Sequence, residues 1–207
     1  MARSKSSNKW LSEHFDDHYV KMAQQKGFRS RSAFKLLELQ DKYQLIRPGM
    51  IVVDLGAAPG GWCQVVRPLV GDSGKVLALD ILEMEPVHGV EFIHGDFTED
   101  GPLQALEAAL GGHEVDLVLS DMAPNMSGMA TIDQAKAMYL AELALEFVKA
   151  HLKPGGDYVV KLFQGTDFDV YVREVRSLFK KVQVRKPKAS RPRSREVYLL
   201  ARDRQVK

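Results

Sequence analysis

The sequence predicts an α/β fold with a doubly wound, mostly parallel sheet of seven strands. Three observations predict it. Short apolar runs typical of buried parallel strands alternate with helix-like segments along residues 51–185. A loop of small residues, 56–61, follows the first strand and precedes a helix, as in nucleotide-binding folds. Only nine residues, 186–194, join the last two strands. That is too short for a crossover helix, so this pair should be antiparallel.

Helices are predicted before the sheet begins. Residues 1–8 are polar and basic and are expected to form a flexible tail. Residues 10–25 contain good helix formers. A second helix, capped by Ser30 or Ser32, is expected to reach about residue 43.

The remaining elements follow in strand–helix alternation. Strands are predicted at 51–55, 75–80, 90–94, 115–121, 158–163, 182–185 and 197–201, and helices at 62–70, 131–152 and 167–178. The helix at 131–152 repeats its apolar residues at a spacing of three to four. Thr131 and Gln134 are placed to form a capping box at its start.

Composition excludes several classes of protein. No stretch approaches the roughly 20 apolar residues of a membrane span, and no apolar run follows the basic N-terminus, so no signal peptide is expected. Cys63 is the only cysteine, which rules out an internal disulfide and a cysteine metal cluster. We expect a cytoplasmic monomer without a metal site.

Basic residues are concentrated in two segments, although the formal net charge is only +2. Residues 21–35 contain five Lys or Arg and no acid, and residues 180–195 contain eight and no acid. For either segment alone a solvated surface is an equally good interpretation. Two such segments beside a neutral body favour a nucleic-acid partner.

The loop after the first strand indicates the kind of ligand. A dinucleotide fingerprint needs a middle glycine beside the pyrophosphate, but Ala58 stands there and Pro59 removes an N–H donor. No Gly-Lys-Ser/Thr sequence is present, so a P-loop is excluded. The loop therefore fits a nucleoside cofactor without a pyrophosphate, and S-adenosylmethionine is such a cofactor.

Acidic residues close the strands whose carboxyl ends meet beside this loop. Asp80 lies 24 residues after Gly56, where nucleotide-binding folds place a ribose-binding acid. Asp96 can accept a hydrogen bond from an adenine amino group. Trp62 either lines the pocket or packs in the core. The acids predicted at this edge of the sheet are Asp54, Asp80, Asp96 and Asp121.

Lys161 is the most informative single residue because it lies inside an apolar strand. Unless it reaches solvent at the strand end, its ammonium group needs partners. Asp121 ends the neighbouring strand and Glu196 opens the antiparallel one, so both can meet Lys161 at one edge. Lys35 can complete the set, although a solvated helix face explains Lys35 equally well.

Five stretches carry a resemblance to a known family, and they span nearly the whole chain: RSRSAFK (29–35), DLGAAPGGW (54–62), SDMAPNMSG (120–128), VKLFQG (160–165) and RSREVY (193–198). They resemble the FtsJ/RrmJ family of S-adenosylmethionine-dependent RNA 2′-O-methyltransferases, and in particular bacterial members that act on a uridine of 23S ribosomal RNA. The resemblance implies a Rossmann-like methyltransferase fold. It implies catalytic residues Lys35, Asp121, Lys161 and Glu196. It implies cofactor contacts by Gly60, Trp62, Asp80, Asp96 and Asp121, beside Asp54 and Gly56 of the loop.

The expected reaction is methyl transfer from S-adenosylmethionine to a ribose 2′-hydroxyl of ribosomal RNA, within the large ribosomal subunit. Lys161 would act as the base or orient the hydroxyl. Residues 9–207 would form one methyltransferase domain, in which the helices of 9–45 contribute to the RNA-binding face. The segments 21–35 and 180–195 would contact RNA phosphates.

Three alternatives remain open at this point. An NAD-dependent dehydrogenase is disfavoured by Ala58 and Pro59. An RNA-binding assembly factor without catalysis is disfavoured by the complete set of four polar residues. The same chemistry on transfer RNA or on an mRNA cap stays possible, because these four residues do not encode the RNA.

Overall fold

One seven-stranded sheet lies at the centre of the protein in a computed structural model that describes residues 17–206. Its strands are β1 (Ile51–Leu55), β2 (Lys75–Asp80), β3 (Glu91–His94), β4 (Val115–Ser120), β5 (Leu152–Phe163), β6 (Phe179–Arg185) and β7 (Glu196–Arg204). They lie in the order β3-β2-β1-β4-β5-β7-β6. Strand β7 runs antiparallel to both of its neighbours, β5 and β6, and the four other strand pairs are parallel. The predicted fold class, including the single antiparallel strand, is confirmed.

Six helices accompany the sheet within residues 17–206: α1 (His18–Lys26), α2 (Ala33–Tyr43), α3 (Gly61–Val70), α4 (Asp100–Leu110), α5 (Ala130–His151) and α6 (Phe168–Leu178). None of these six is long and apolar enough to cross a bilayer. The predicted tail at 1–8 and the first part of the predicted helix at 10–25 lie outside the described residues. Helix α4 was missed by the sequence prediction. Its Gly-Pro pair resembles a turn signal, yet proline is well tolerated in the first turn of a helix.

The two faces of the sheet are covered by different helices. Helices α4, α5 and α6 pack on one face, and α2 and α3 on the other. Side chains of β5 alternate between these layers: Tyr158 and Val160 belong to the first core and Val159 to the second. Lys161 alternates with Val160, so it shares the face covered by α2 and α3.

The start of helix α5 corrects one prediction. The helix begins at Ala130 without a side-chain cap, so the capping box of Thr131 and Gln134 is wrong. Asp133 instead accepts hydrogen bonds from the backbone N–H and the hydroxyl of Ser127, both at 2.7 Å. Gln134 donates to two carbonyls of the segment that ends β5 and follows it, at 3.0 and 3.1 Å. These polar residues therefore anchor the loops beside the sheet edge.

Strand register brings the predicted site residues to one edge. Asp121 directly follows β4, and Ser120 of that strand is the Cα partner of Val160 in β5. Glu196 opens β7 opposite Phe163, the last residue of β5. The antiparallel direction of β7 therefore places its first residue at the edge where the parallel strands end.

Candidate active site

A cavity of about 410 Å³ opens at the carboxyl edge of the sheet. The loops after β1, β2, β3 and β4 form its walls, together with one face of α5. Four of the residues predicted to bind the cofactor line it, namely Gly56, Asp80, Asp96 and Asp121. The structure therefore brings these four together at the switch point of the sheet.

Gly56 allows the loops after β1 and β4 to approach each other. Its φ is +79°, and a Cβ atom there would lie 2.7 Å from the backbone nitrogen of Met122. Any side chain at this position would push the two loops apart. The next turn contains a cis peptide between Ala58 and Pro59. The N–H of Ala58 donates to the carboxylate of Asp80 at 2.8 Å.

Asp80 and Asp96 both keep acceptor capacity for a ligand. The oxygens of Asp80 accept one backbone hydrogen bond each, from Ala58 and Leu82, both at 2.8 Å. A carboxylate has about four acceptor positions, so two remain. Asp96 uses one oxygen, Oδ1, for the N–H and the hydroxyl of Thr98, at 2.9 and 2.8 Å. These carboxylates can accept hydrogen bonds from hydroxyl or amino groups in the cavity.

Three other predicted cofactor residues, Asp54, Gly60 and Trp62, do not line this cavity. Asp54 is fully buried beside Cys63, whose thiol donates to it at 3.3 Å. Trp62 is a core residue whose indole N–H donates to the Ser32 carbonyl at 2.9 Å. Gly60 lies just before α3 with a φ of +103°. These three residues therefore lie on the side of the loop that faces away from the cavity.

Lys161 is held by the end of β4. Its Nζ donates to the Asp121 carbonyl oxygen at 2.6 Å and lies 3.1 Å from the carboxylate oxygen Oδ1. The side chain is only 9% exposed. The prediction that this buried ammonium group needs the neighbouring acid is thus matched by direct contact.

Lys35 and Glu196 form a second ion pair beside the first. Lys35 Nζ lies 2.7 Å from Glu196 Oε1. The phenol of Tyr198 connects the two pairs, because it donates to Asp121 Oδ1 at 2.7 Å and accepts from Lys35 Nζ at 3.2 Å. We call Lys35, Asp121, Lys161, Glu196 and Tyr198 the polar network.

Tyr198 is the member of the network that the sequence prediction missed. It follows Glu196 by two residues on the same strand, and alternation places both side chains on one face. It is also the Cα partner of Lys161. An aromatic residue in an apolar run usually belongs to the core, which is why strand periodicity alone concealed its hydroxyl.

Charge and burial within the network shift the pKa values of its two acids and of its phenol. Burial acts to raise the pKa of Asp121, but the ammonium groups of Lys161 and Lys35 outweigh it, so the pKa lies below its ordinary value. For Glu196, burial is likewise outweighed, chiefly by Lys35, and the pKa is lowered. Burial, followed by the charge of Asp121, raises the pKa of Tyr198 well above its ordinary value. At neutral pH the two acids are therefore carboxylates, and the phenol keeps its proton.

A second cavity, of about 460 Å³, lies on the other side of the network. Its lining residues are Arg31, Lys35, Arg191, Arg193, Ser194 and Glu196. We call it the basic cavity. Residues from the two basic segments of the sequence thus meet at one place, next to Lys35 and Glu196.

Other residues of these segments lie elsewhere. The guanidinium group of Arg185 packs on the ring of Tyr43, 5.7 Å from its centroid. The guanidinium group of Arg29 donates to the carbonyls of Pro59 at 3.2 Å, of Pro86 at 2.8 Å and of Glu85. Arg29 therefore ties the loop after β1 to the loop after β2, both of which border the first cavity.

Comparisons with known proteins decide the family. Residues 28–204 match the model of the FtsJ-like methyltransferases. The chain belongs to this family. It is 60% identical over 204 residues to the ribosomal RNA large subunit methyltransferase E of Chromobacterium violaceum, covering 99% of this chain and 100% of that protein. The enzyme of the same name from Pseudomonas aeruginosa is 60% identical over 98% of both chains.

Solved structures agree with this family assignment. A Plasmodium falciparum protein assigned as a ribosomal RNA methyltransferase superposes with a TM-score of 0.78 at 28% identity, covering 87% of this chain and 100% of that one. The fibrillarin/Nop5p complex gives a TM-score of 0.57 at 18% identity, over 84% of this chain and 81% of that one, which shows the shared fold alone. The chain is thus an FtsJ-like methyltransferase by sequence and by fold.

The buried carboxyl group of Asp54 should make the stability of the protein depend on pH. Burial, with smaller contributions from the charges of Asp121 and Asp80, raises the pKa of Asp54 to about 7. Between about pH 4 and 7 the folded state therefore holds a proton that the unfolded chain has already released. Because of this difference, the free energy of unfolding falls as the pH rises through this range. The Asp54→Asn variant lacks this loss, so its free energy of unfolding relative to the wild type should rise by about 2–4 kcal/mol across that range.

Urea unfolding at several pH values between 4.5 and 8.5 measures this difference. Asp72→Asn, which removes the same charge at a fully exposed side chain, is the matched control. A difference between Asp54→Asn and the wild type that does not change with pH would show that folding leaves the pKa of Asp54 unchanged.

Tyr198→Phe should destabilise the fold by about 1.5–3 kcal/mol, because it removes a buried hydrogen bond to the charged carboxylate of Asp121. The phenyl ring keeps its packing against Trp62, whose ring centroid is 5.8 Å away. Chemical denaturation measures the change. Tyr139→Phe, at a residue that is 52% exposed, should shift the free energy by less than about 0.5 kcal/mol. Equal effects of the two substitutions would contradict the role of the Tyr198 hydroxyl.

Proposed function

We propose that this FtsJ-like methyltransferase transfers a methyl group from S-adenosylmethionine to the ribose 2′-hydroxyl of a uridine in 23S ribosomal RNA of the large subunit. One observation carries the proposal: the polar network lies between two cavities of opposite charge. Asp121 lines the first cavity, while Lys35 and Glu196 line the basic cavity. The names of the relatives from Chromobacterium violaceum and Pseudomonas aeruginosa support the large-subunit RNA as the substrate.

The first cavity fits S-adenosylmethionine. Among the residues that the structure describes, the lining carries three carboxylates, on Asp80, Asp96 and Asp121, and one basic side chain, that of Lys136. This charge suits a ligand with a cationic sulfonium and a cationic amino group. In the proposed mode Asp80 holds the ribose hydroxyls and Asp96 the adenine amino group. When bound, the cofactor supplies the electrophilic methyl group.

Lys161 is the residue proposed to act at the 2′-hydroxyl. Two of the three positions on its nitrogen are directed to Asp121, so the third is left to orient the hydroxyl or to accept its proton. Asp121 keeps Lys161 in place. Glu196 and Tyr198 hold Lys35 beside it, where Lys35 can face the ribose or its phosphate. Alignment of the hydroxyl is the chief contribution of these side chains.

Removal of the Lys161 ammonium group tests this assignment. Lys161→Ala should lower the rate of methyl transfer by about 10²–10⁴-fold. It should leave the affinity for S-adenosylmethionine within about threefold, because Lys161 does not line the cofactor cavity. Single-turnover transfer of tritiated methyl groups to large ribosomal subunits that lack the modification, with calorimetric titration of the cofactor, gives both quantities. Lys42→Ala, at an exposed lysine near the end of α2, is the control.

The methylated RNA from the same assay identifies the substrate. Mass spectrometry of nuclease digests should locate the methyl group on a uridine ribose of 23S ribosomal RNA. Methylation of transfer RNA or of a capped RNA in its place would contradict the proposed substrate while keeping the chemistry. Near-normal turnover by Lys161→Ala would contradict the proposed mechanism.

Arg29 is expected to act on the cofactor site rather than on RNA, since its guanidinium group is engaged by three backbone carbonyls. Arg29→Ala should weaken S-adenosylmethionine binding by about tenfold, the equivalent of about 1.4 kcal/mol, and change RNA affinity by less than about threefold. Arg29→Lys should recover part of the loss, because a lysine cannot reach all three carbonyls at once. The control is Lys26→Ala, at an exposed residue ending α1. A loss of RNA affinity with unchanged cofactor affinity would refute this role.

A further inference from the structure

A carboxylate of the chain itself lies between two arginines of the basic cavity. Asp17 Oδ2 forms an ion pair with Arg31 Nη1, and the same oxygen lies 3.7 Å from Arg191 Nε. The side chains of Asp17 and Arg31 are only 12% and 15% exposed. The other oxygen, Oδ1, accepts the N–H of Tyr19 at 3.0 Å and thereby caps helix α1. Asp17 thus combines a helix cap with a contact to two cations.

The surroundings of Asp17 are dominated by positive charge. Arg31, Lys35, Arg191 and Arg193 line the basic cavity, and Glu196, the acid in its lining, is in contact with Lys35. Arg31 also donates to the Ala189 carbonyl, which fixes the guanidinium group in place. Burial, followed by the charge of Arg191, lowers the pKa of Arg31. Two guanidinium groups held this close together need an anion near them.

We propose that Arg31 and Arg191 form a binding site for one phosphodiester of the substrate RNA, and that the Asp17 carboxylate occupies this site in the free protein. The inference rests on the proposed function and adds to it a defined contact and a competitor. Carboxylate and phosphodiester groups both offer two anionic oxygens to a guanidinium fork. Because the cavity borders Lys35 and Glu196, the bound phosphate lies close to the ribose that is methylated.

RNA must therefore displace Asp17 before the arginines can bind it. Helix α1 need not leave the protein, since Tyr19 packs on Phe34 of α2 and Ala23 is buried in the same cluster. Movement of one side chain at the start of the helix is sufficient. The competing contact lowers RNA affinity by the free energy of a partly buried ion pair, and this penalty should fall on every RNA sequence alike.

A charge-neutral variant that keeps the helix cap tests this competition. Asp17→Asn preserves the cap, because asparagine caps helices as well as aspartate does. The control is Asp41→Asn, which makes the same change of net charge at an exposed position near the end of α2, outside the basic cavity. Fluorescence anisotropy with a labelled ten-nucleotide oligouridylate measures RNA affinity at several salt concentrations, and thermal melting confirms folding. Asp17→Ser, which also keeps a capping side chain, replaces Asp17→Asn should that variant fail to fold.

Asp17→Asn should bind the oligonucleotide about three- to tenfold more tightly than Asp41→Asn at the same ionic strength. In the Arg31→Gln background the gain from Asp17→Asn should disappear, because the phosphate site is lost. Equal affinities for Asp17→Asn and Asp41→Asn would overturn the inference, as would a gain that persists without Arg31. If the wild-type protein transfers no methyl group while Asp17→Asn still shows the Arg31-dependent gain in RNA affinity, the proposed function is contradicted and the phosphate site is still supported.

Discussion

The contact between Lys161 and Asp121 is the constraint on which the rest of the site depends. An ammonium group that is 9% exposed within a strand requires an anionic partner in direct reach. The register of β4 and β5 supplies it, because Ser120 is the Cα partner of Val160, so the next residue along each strand meets the other. Tyr198 of β7 is in turn the Cα partner of Lys161 of β5. Three adjacent strands therefore place their polar side chains at one level of the sheet.

This arrangement lowers the stability of the fold, which fits the catalytic role proposed for it. Removing two lysines and two acids from water carries a desolvation cost that their mutual attraction only roughly offsets. A network of apolar residues could fill the same space. The lysines instead hold the pKa values of Asp121 and Glu196 below their ordinary range, and Tyr198 stays protonated. These fixed partners hold Lys161 in one orientation through its two contacts with Asp121.

The sequence predicts the fold and most of the site because strand ends are strongly patterned. Apolar runs locate the strands, and the acids that follow them converge once the strands are parallel, as Asp80, Asp96 and Asp121 do in the first cavity. Sequence patterns fail to predict local structure where tertiary contacts determine it. Helix α4 was missed because Gly101 and Pro102 resemble a turn. The predicted capping box of α5 is wrong because Asp133 and Gln134 bind neighbouring loops instead.

The uses of the basic residues could not be predicted from their spacing. Within the same segments Arg29 binds backbone carbonyls, Arg185 packs on a tyrosine ring and Arg31 contacts Asp17. Sequence shows how much charge a segment carries, and only packing shows how much of it faces a ligand. The outcome here is a separation of charge across the polar network, with carboxylates in the first cavity and guanidinium groups in the basic cavity. In the proposed function, a cationic cofactor and a polyanionic RNA would be drawn to opposite sides of Lys161, so that neither would compete for the other's site.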